Sequence, residues 1–560
     1  MRGPAAMVRD LAARTPESRE RSVDMWRALA ICLVVFGHWF VVAVTYRDGR
    51  LSGYNALDTL RWLDLVTWLF QVMPIFFLVG GYAGSASMAS HRASGGDGIG
   101  WVLRRTDRLL RPTTALFVVL PLVSLAAVAA GVGSELLGHA AWLASIPLWF
   151  LLAYLVLAVL TPWLHALHRR AGLAAPLATV VIVAVADLLR RGLHVPVVGQ
   201  STYLFAWMAI YQLGFCWRDG LLRLSRGKAL AVMASGLVAL IGLTVVGPYP
   251  VAMVGYNTAP PTLALMALAA TQLGLVLALA PAANRWLRRT GPWSVVIAVN
   301  AVILTVFLWH MTAAVVAAAL LFPTGVLRQP PPHSTTWLLW RVPWTAACAL
   351  VLVVLVALFA RIELRRSVLR SAERRGPWRD GATVLGLAAV LAGLLFVAFS
   401  GPGYHGPTGL PWAGVLSYLC GAAVLRVVRT RPVLQGSGRL SPRQDYGVVL
   451  PGMASSSSPV GWSPSRLRTG SFSAGARLSD GEAAAGSGPG SRAPELKSDS
   501  RGPGGMEGLK GGVQAAVASG SVPEPVPGCS GSCGALVLAL SCSSRAVTAS
   551  RASRSCRVHG

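Results

Sequence analysis

Long apolar runs recur along most of this chain, and each is long enough to cross a lipid bilayer as a helix. A hydrocarbon core about 30 Å thick requires about 20 apolar residues in helical conformation. The pattern predicts an all-α, polytopic transmembrane helix bundle of about ten core helices plus two extra C-terminal helices. The predicted spans are 24–45, 65–88, 113–131, 146–164, 173–189, 201–217, 229–247, 262–281, 293–322, 338–360, 381–400 and 411–427.

The net charge of +28 would suggest a nucleic-acid partner in a soluble protein. In this chain, however, 54% of the residues are hydrophobic and only 13% are charged, as suits a bilayer. The arginines form short clusters between apolar runs, so we predict a lipid bilayer as partner and no nucleic acid. The eight cysteines contain no C-x-x-C pair, and we predict no metal site.

Basic residues concentrate in alternate loops, as the positive-inside rule requires of cytoplasmic loops. With a cytoplasmic N-terminus, the inner loops carry Arg92 to Arg111, His168 to Arg170, Arg218 to Lys228, Arg285 to Arg289 and Arg361 to Arg370. Loops 132–145, 248–261 and 401–411 hold almost no charge. We therefore predict a multi-pass protein of the cytoplasmic membrane with both termini cytoplasmic.

Composition divides the chain into four predicted segments. Residues 1–22 form a cytoplasmic N-terminal segment, 23–360 a ten-helix membrane domain, and 361–428 two additional transmembrane helices. Residues 429–560 are rich in Gly, Ser, Pro and Arg without hydrophobic periodicity. Such a segment buries too little apolar surface to offset its chain entropy, so we predict a disordered tail.

The first predicted helix carries three ionisable residues: Asp24, Arg27 and His38. The eleven residues from Arg27 to His38 correspond to about 1100° of helical rotation and a rise of about 16.5 Å, which places both on one face. Arg27 could simply snorkel to the membrane surface and pair with Asp24. A histidine within hydrocarbon usually faces the bundle interior or a water-filled cavity.

An imidazole at His38 suits acyl transfer. It can take a proton from a hydroxyl that attacks a thioester, or it can be acylated transiently itself. The matching donor has an anionic head for the arginines and a long thin arm that reaches the histidine. Coenzyme A has this shape.

Several segments together resemble the membrane-bound acyltransferase 3 family. The first helix has that family's arginine, ten intervening residues and histidine, with an aspartate three positions before the arginine. The resemblance continues through 73–82, with its proline and double phenylalanine, and through the basic run 104–112. It includes the later segments 147–151 and 307–310 and spans roughly residues 20 to 360. One departure is Val79-Gly80-Gly81-Tyr82, which replaces the usual serine-glycine-phenylalanine.

This resemblance implies that His38 is the catalytic residue and that Arg27 is its essential partner. Arg104, Arg105 and Arg108 fall where the family places a basic motif needed for activity, and with Arg111 we predict them to bind the acyl-CoA donor. Membrane topology alone also explains this arginine cluster. We predict Asp24, Trp309 and His310 as cavity-lining residues, although His310 could instead bond to a neighbouring helix.

Other polar residues have simpler interpretations. Gly80, Gly81, Gly84 and Ser85 form a small-residue face that suits close helix packing. Asp187 lies near the outer end of the fifth predicted helix, without an evident partner. The remaining histidines of the membrane domain, including His165 and His168, fall near predicted loops and are expected to be solvated.

The predicted function is a membrane-embedded O-acyltransferase. It moves an acetyl or other short acyl group from acyl-CoA to a hydroxyl, on a carbohydrate or on a glycosylated envelope or secreted molecule. The alternative is a secondary transporter or exporter, because twelve helices with both termini inside is a common transporter layout. Transporters often show two related halves with matched broken helices, and neither is evident here. A membrane sensor or scaffold would have no use for an aligned Arg27 and His38.

Overall fold

The structure is a computed structural model that describes residues 4–429, except 48–49, 57–59, 61, 194, 329, 332–333, 365–375, 402–403, 405 and 407. Helices account for nearly all of its regular structure. They are α1 (Pro4–Ala13), α2 (Arg21–Val41), α3 (Leu63–Phe70), α4 (Met73–Ala93), α5 (Gly98–Ala129), α6 (Ser134–Ser145), α7 (Leu148–Ala171), α8 (Ala174–Gly192), α9 (Pro196–Gln200), α10 (Thr202–Arg218), α11 (Arg226–Ile241), α12 (Leu263–Trp286), α13 (Thr290–Ala301), α14 (Ile303–Leu321), α15 (Thr335–Leu364), α16 (Pro377–Phe399) and α17 (Trp412–Arg429).

Within the described residues, ten helical segments are long and apolar enough to cross a membrane. They are α2, α3 with α4, α5, α7, α11 with the π-helical turn Gly242–Val246, α12, α14, α15, α16 and α17. The other two predicted spans correspond to α8, which carries three charged residues, and α10, which has 17 residues. The predicted polytopic helical bundle is confirmed. The predicted disordered tail, from residue 430 on, lies outside the described residues.

A short antiparallel hairpin interrupts the helical pattern between α2 and α3. Strands β1 (Val42–Arg47) and β2 (Arg50–Asn55) pair in a register that joins Val42 to Asn55 and Arg47 to Arg50. The apolar-run analysis predicted no strand here. A two-stranded hairpin is too short to produce a periodic signal that competes with the adjoining helices.

Two predicted spans are each divided into two helices. The span 65–88 breaks between α3 and α4, where Pro74 lies in the first turn of α4 and lacks the N–H needed to continue α3. The span 293–322 breaks at Val302, between α13 and α14. The Glu363 carboxylate then accepts hydrogen bonds from the backbone N–H groups of Leu304 at 3.1 Å and Thr305 at 2.8 Å. It thereby provides hydrogen-bond acceptors for N–H groups in the first turn of α14, which have no partner within the helix.

Small residues allow α4 and α10 to approach closely, as the sequence predicts. A Cβ at Gly81 would collide with the backbone carbonyl of Tyr211, and one at Gly80 would lie 2.9 Å from the Tyr154 ring. The reciprocal contact on α10 comes from Gly214, against the backbone of α4. Gly81 and Gly214 are therefore required for helix packing rather than for a ligand.

His165 and His168 are not solvated, so that prediction was wrong. The helix α7 extends to Ala171, and both side chains lie on its buried face, with exposures of 5% and 3%. His168 Nε2 lies 3.0 Å from Asp219 Oδ2, just after α10. The apolar pattern missed them because the last turns of a membrane helix are often polar in sequence.

Asp187 anchors the loop that joins α11 to α12. Its buried carboxylate accepts hydrogen bonds from Arg190 at 2.7 Å, from the Tyr249 hydroxyl at 2.8 Å and from the backbone N–H of Leu263 at 3.0 Å. Burial raises the pKa of Tyr249 to about 12, and the hydrogen bond to Asp187 makes the second-largest contribution to this increase. The phenol therefore stays protonated and keeps donating at any physiological pH.

Candidate functional site

His38 lies near the C-terminal end of α2 and contacts His310 in the middle of α14. The two rings are nearly parallel, at 7°, and His38 Nδ1 lies 2.7 Å from His310 Nε2. His310 is fully buried, and its Nδ1 lies 2.6 Å from the backbone carbonyl of Phe307. The chain of contacts therefore runs from the Phe307 carbonyl through both imidazoles.

These contacts determine which nitrogen of each neutral histidine carries the proton. A carbonyl oxygen can only accept, so His310 Nδ1 donates to Phe307 and His310 Nε2 holds a lone pair. His38 Nδ1 must then donate to His310, which leaves the lone pair of His38 on Nε2. Among the described residues, His38 Nε2 has no hydrogen-bond partner. It is the nitrogen that can accept a proton or an acyl group.

Indole and guanidinium groups fix the helices on either side of this pair. The Trp39 indole N–H donates to the His310 carbonyl at 2.8 Å. The Trp39 carbonyl in turn accepts from the Trp344 indole at 3.0 Å and from Arg341 at 3.4 Å. The end of α2 is thus tied to both α14 and α15, which holds His38 in place against His310.

A cavity of about 350 Å³ lies beside His38, at the end of the bundle where α2 finishes. The C-terminal half of α2 forms part of the cavity wall. Other parts come from α3, the first residues of α7, the end of α16 and the loop between the π-helical turn Gly242–Val246 and α12, which includes Val254 and Thr258. The volume falls within the range of small-molecule pockets, roughly 300–1,000 Å³. None of Asp24, Trp309 and His310 is among the lining residues.

Those three residues occupy other positions. Asp24 pairs with Arg27 at 3.4 Å and with Arg19 at 2.7 Å, near the opposite end of α2. Trp309 stacks on Phe359 of α15, with ring centroids 4.1 Å apart, and is buried. His310 contacts His38 and does not line the cavity.

The arginines of α5 fall into two groups. Arg105 and Arg108 lie close enough to Arg27 for their positive charges to repel one another. Arg105 also donates to the Tyr154 hydroxyl on α7. This group, Arg27, Arg105 and Arg108, is called the arginine cluster below. Asp24 offsets part of this repulsion at Arg27, and Glu363 does so at Arg108; an anion bound among the three guanidinium groups would offset more of it.

The other two predicted donor-binding arginines lie apart from the arginine cluster. Arg104 is exposed and contacts the ring of His91. Arg111 pairs with Asp107 at 2.6 Å, and the same carboxylate accepts from Arg429 of α17 at 2.8 Å. The charged residues of α5 therefore contact several other helices, namely α4, α7 and α17.

The arginine cluster lies toward the N-terminal end of α2, and the cavity lies toward its C-terminal end. Arg27 is on the N-terminal half of α2, whereas the cavity wall uses α2 only from Leu33 onward. On α7, Phe150 lines the cavity, and Tyr154, the partner of Arg105, follows one helical turn later. A long molecule that binds the arginines could therefore reach His38 along α2, while a second molecule occupies the part of the cavity beyond His38, at Phe40 and Val41.

Sequence reasoning missed four polar residues of this region. Tyr154 holds Arg105, and Gln71, Thr67 and Thr258 form the hydrogen-bonded edge of the cavity. Tyr154 lies one turn after the segment 147–151 and could have been found by extending that helix. Gln71 stands alone in an apolar run, which is itself an indication of a polar role within a membrane.

A protein-family model described as an acyltransferase domain matches residues 20–362, which is more than half of the chain. The chain belongs to this acyltransferase family. No curated protein and no solved structure gives a significant match. This acyltransferase is therefore a membrane-embedded enzyme with an acyl donor and an acyl acceptor. The matched range begins just before α2 and ends within α15, so it includes His38, His310 and the arginine cluster. The acyltransferase then continues into α16 and α17.

Proposed function

We propose that this acyltransferase moves an acetyl or other short acyl group from acyl-CoA to a hydroxyl on a carbohydrate, or on a glycosylated envelope or secreted molecule. The observation that carries the proposal is the hydrogen bond between His38 Nδ1 and His310 Nε2. It holds His38 in the tautomer whose Nε2 can accept a proton, on the wall of a cavity large enough for a substrate. His38 is the proposed catalytic residue.

The arginine cluster supports acyl-CoA as donor. Guanidinium groups bind phosphate oxygens in bidentate fashion and keep their charge under all physiological conditions. The separation of Arg27 from His38 along α2 is about 16.5 Å, which requires a donor with a long arm between its anionic head and its thioester. Arg27, Arg105 and Arg108 would hold the head, and the arm would extend along α2 and α7.

The transfer step needs one base and one thioester. The acceptor hydroxyl gives its proton to His38 Nε2 as its oxygen bonds to the thioester carbonyl carbon. The carbon–sulfur bond then breaks, and the imidazolium returns the proton to the departing CoA sulfur. In the alternative route His38 Nε2 attacks the thioester carbon first and CoA leaves as a thiolate; the acceptor oxygen then displaces the imidazole, and the hydroxyl proton passes to the thiolate. The products, an ester and free CoA, are the same in both routes.

We further propose that the enzyme lies in the cytoplasmic membrane with both termini in the cytoplasm. The distribution of arginine between alternate loops supports this orientation. It also puts the N-terminal half of α2, and with it the arginine cluster, on the side where acyl-CoA is made. The cavity then lies toward the other side.

A labelling assay in membranes tests the proposal. Acetyl-CoA labelled in its acetyl group is supplied with candidate glycans to the parent enzyme, His38→Ala and Arg27→Ala. We expect transfer to fall at least about 100-fold in His38→Ala, because general-base catalysis contributes roughly 10²–10⁴-fold. His139→Ala and Arg169→Ala, which alter residues outside the site, are matched controls that should transfer normally. Normal transfer by both site variants would show that the catalytic assignment is wrong.

A further inference from the structure

The cavity beside His38 is too large for an acetyl group alone. An acetyl group has three heavy atoms, whereas pockets of about 350 Å³ hold complete small molecules. The donor's head is accounted for at the arginine cluster, and its arm would end at His38. The cavity continues past His38 to Phe40, Val41 and the loop at Val254, and this part is available to a second molecule.

The wall of this cavity is mainly aromatic and aliphatic. Among the described residues that line it, none has an Asp, Glu, Lys or Arg side chain. Seven aromatic rings surround the space, and the Tyr203 ring carries a hydroxyl: Phe40, Phe70, Trp149, Phe150, Tyr203, Phe307 and Phe399. A molecule with many hydroxyls would lose its water in such a cavity without gaining hydrogen bonds in return.

The polar side chains at the cavity edge are already bonded to one another. Gln71 donates to the Thr258 hydroxyl at 2.5 Å, and that hydroxyl donates to the Met253 carbonyl at 2.6 Å. The Thr67 hydroxyl accepts from the backbone N–H of Met253 at 2.8 Å and donates to the Asp64 carbonyl at 2.5 Å. These bonds hold the loop before α12 in place, and they use the protons of both threonine hydroxyls, so neither hydroxyl can donate to a ligand.

We infer that this cavity binds the acceptor, and that the acceptor is amphipathic, with a hydroxylated end at His38 and an apolar body among the aromatic side chains. The inference rests on the proposed function and narrows its acceptor class. A glycoside with an alkyl, aryl or other apolar aglycone meets both requirements. A free oligosaccharide does not, because its hydroxyls would face the rings.

Glucose-based acceptors with and without an apolar group test this inference in membranes that contain the full-length enzyme and labelled acetyl-CoA. Octyl and phenyl β-D-glucoside, kept below micellar concentrations, are compared with methyl β-D-glucoside and maltotriose. We expect a KM for octyl glucoside more than about tenfold below that for methyl glucoside, the gain from burying roughly two of its seven additional methylenes. The transfer must also be lost in His38→Ala.

A cavity-narrowing variant separates the cavity from simple partition of the probe into lipid. Val66 of α3 lines the cavity, whereas the adjacent Leu65 is 60% exposed on the outside of the bundle. Val66→Phe should remove most of the octyl preference, and the matched control Leu65→Phe should keep it. If Leu65→Phe and Val66→Phe behave alike, the preference reflects the bilayer and the inference is wrong.

Other outcomes separate this inference from the proposed function. Equal or better use of methyl glucoside or maltotriose overturns the amphipathic acceptor and leaves the proposed function in place. If acetyl-CoA binds in an Arg27-dependent way but is not transferred to any alkyl or aryl glucoside, the amphipathic acceptor is likewise overturned and the proposed function stays in place. A rate gain from octanoyl-CoA over acetyl-CoA that Val66→Phe removes would assign the cavity to the acyl chain instead. If no acetyl-CoA binds and none is consumed, the proposed function itself fails.

Discussion

A hydrogen bond between two neutral histidines has a direction, and that direction determines what His38 can do. The Phe307 carbonyl fixes the proton of His310, and His310 in turn fixes the proton of His38. Under the proposed function His310 is a positioning residue, since it contacts His38 rather than the cavity. The aspartate of a Ser-His-Asp triad orients its histidine in a comparable way.

Replacing His310 should lower catalysis without affecting donor binding. In His310→Leu the Nδ1–H of His38 loses its acceptor, and we expect kcat to fall roughly 10- to 100-fold with little change in the KM for acetyl-CoA. His310→Gln retains an oxygen that can accept this bond and should recover part of the rate. Steady-state kinetics of both variants, with His139→Leu as control, measure the effect. Equal kcat in the Leu and Gln variants would contradict the positioning role.

Arg104 and Arg105 are adjacent on α5, but we predict different effects on donor binding when each is replaced. Arg105→Ala removes a guanidinium from the arginine cluster and should raise the KM for acetyl-CoA by about tenfold or more, as expected for the loss of a hydrogen bond to a charged group. Arg104→Ala removes an exposed side chain beside His91 and should leave the KM within about twofold. A larger effect of Arg104→Ala than of Arg105→Ala would contradict the proposed donor site.

The geometric relation between candidate residues was predictable where one helix carries both of them. Arg27 and His38 share α2, so their relation follows from helical geometry and sequence spacing alone. The partnership of His38 with His310 joins residues 272 positions apart and depends on how α14 packs. The same is true of Arg105 and Tyr154. Spacing along the chain contains no information about such tertiary pairs.

At the level of elements, apolar runs predict that a span exists but not where it breaks. Gln71 and Val302 each stand between two apolar helices, so a hydropathy window passes over both. Both breaks affect the region around the site. The first puts Gln71 and Met73 on the cavity wall, and the second brings Glu363 to the N-terminus of α14. A carboxylate is favourable there because it accepts the free N–H groups and complements the helix dipole.

The helices α16 and α17 pack through glycines along their shared face. A Cβ at Gly393 would lie 2.6 Å from the carbonyl oxygen of Gly414 and 2.5 Å from the backbone nitrogen of Tyr418. Backbone atoms cannot move aside as a side-chain end can. Close packing of this kind is a principal source of helix association in membranes.

Gly393→Val should therefore destabilise the helix pair, by roughly 1–3 kcal/mol as for other overpacked sites. Gly381→Val on the same helix is the matched control, since a Cβ there would meet no atom within 4 Å. Thermal inactivation of the two variants in membranes gives the comparison. Because Ala398 and Phe399 line the cavity, activity should fall with the stability of Gly393→Val. Equal stability of the two variants would contradict the packing described for α16 and α17.

At the level of the whole molecule, the candidate site has two regions. The arginine cluster draws on the N-terminal half of α2 and on α5, with Tyr154 of α7, and the cavity wall uses α2 from Leu33 onward and the first residues of α7. Of the four arginines that the sequence predicted for the donor site, Arg105 and Arg108 lie near Arg27, and Arg104 and Arg111 lie apart. The sequence could not predict the cavity, because an apolar cavity wall has the same composition as the packed core around it. The contribution of α16 to the cavity also lies beyond the matched family range.

The central claim is that His38 transfers the acyl group while the arginine cluster only holds the donor. A single-turnover measurement separates these two functions: labelled acetyl-CoA is bound first, excess acceptor is added, and bound and transferred label are counted with time. We predict that His38→Ala binds acetyl-CoA as the parent does but transfers it at least about 100-fold more slowly. Transfer by His38→Ala at the parent rate would contradict the account.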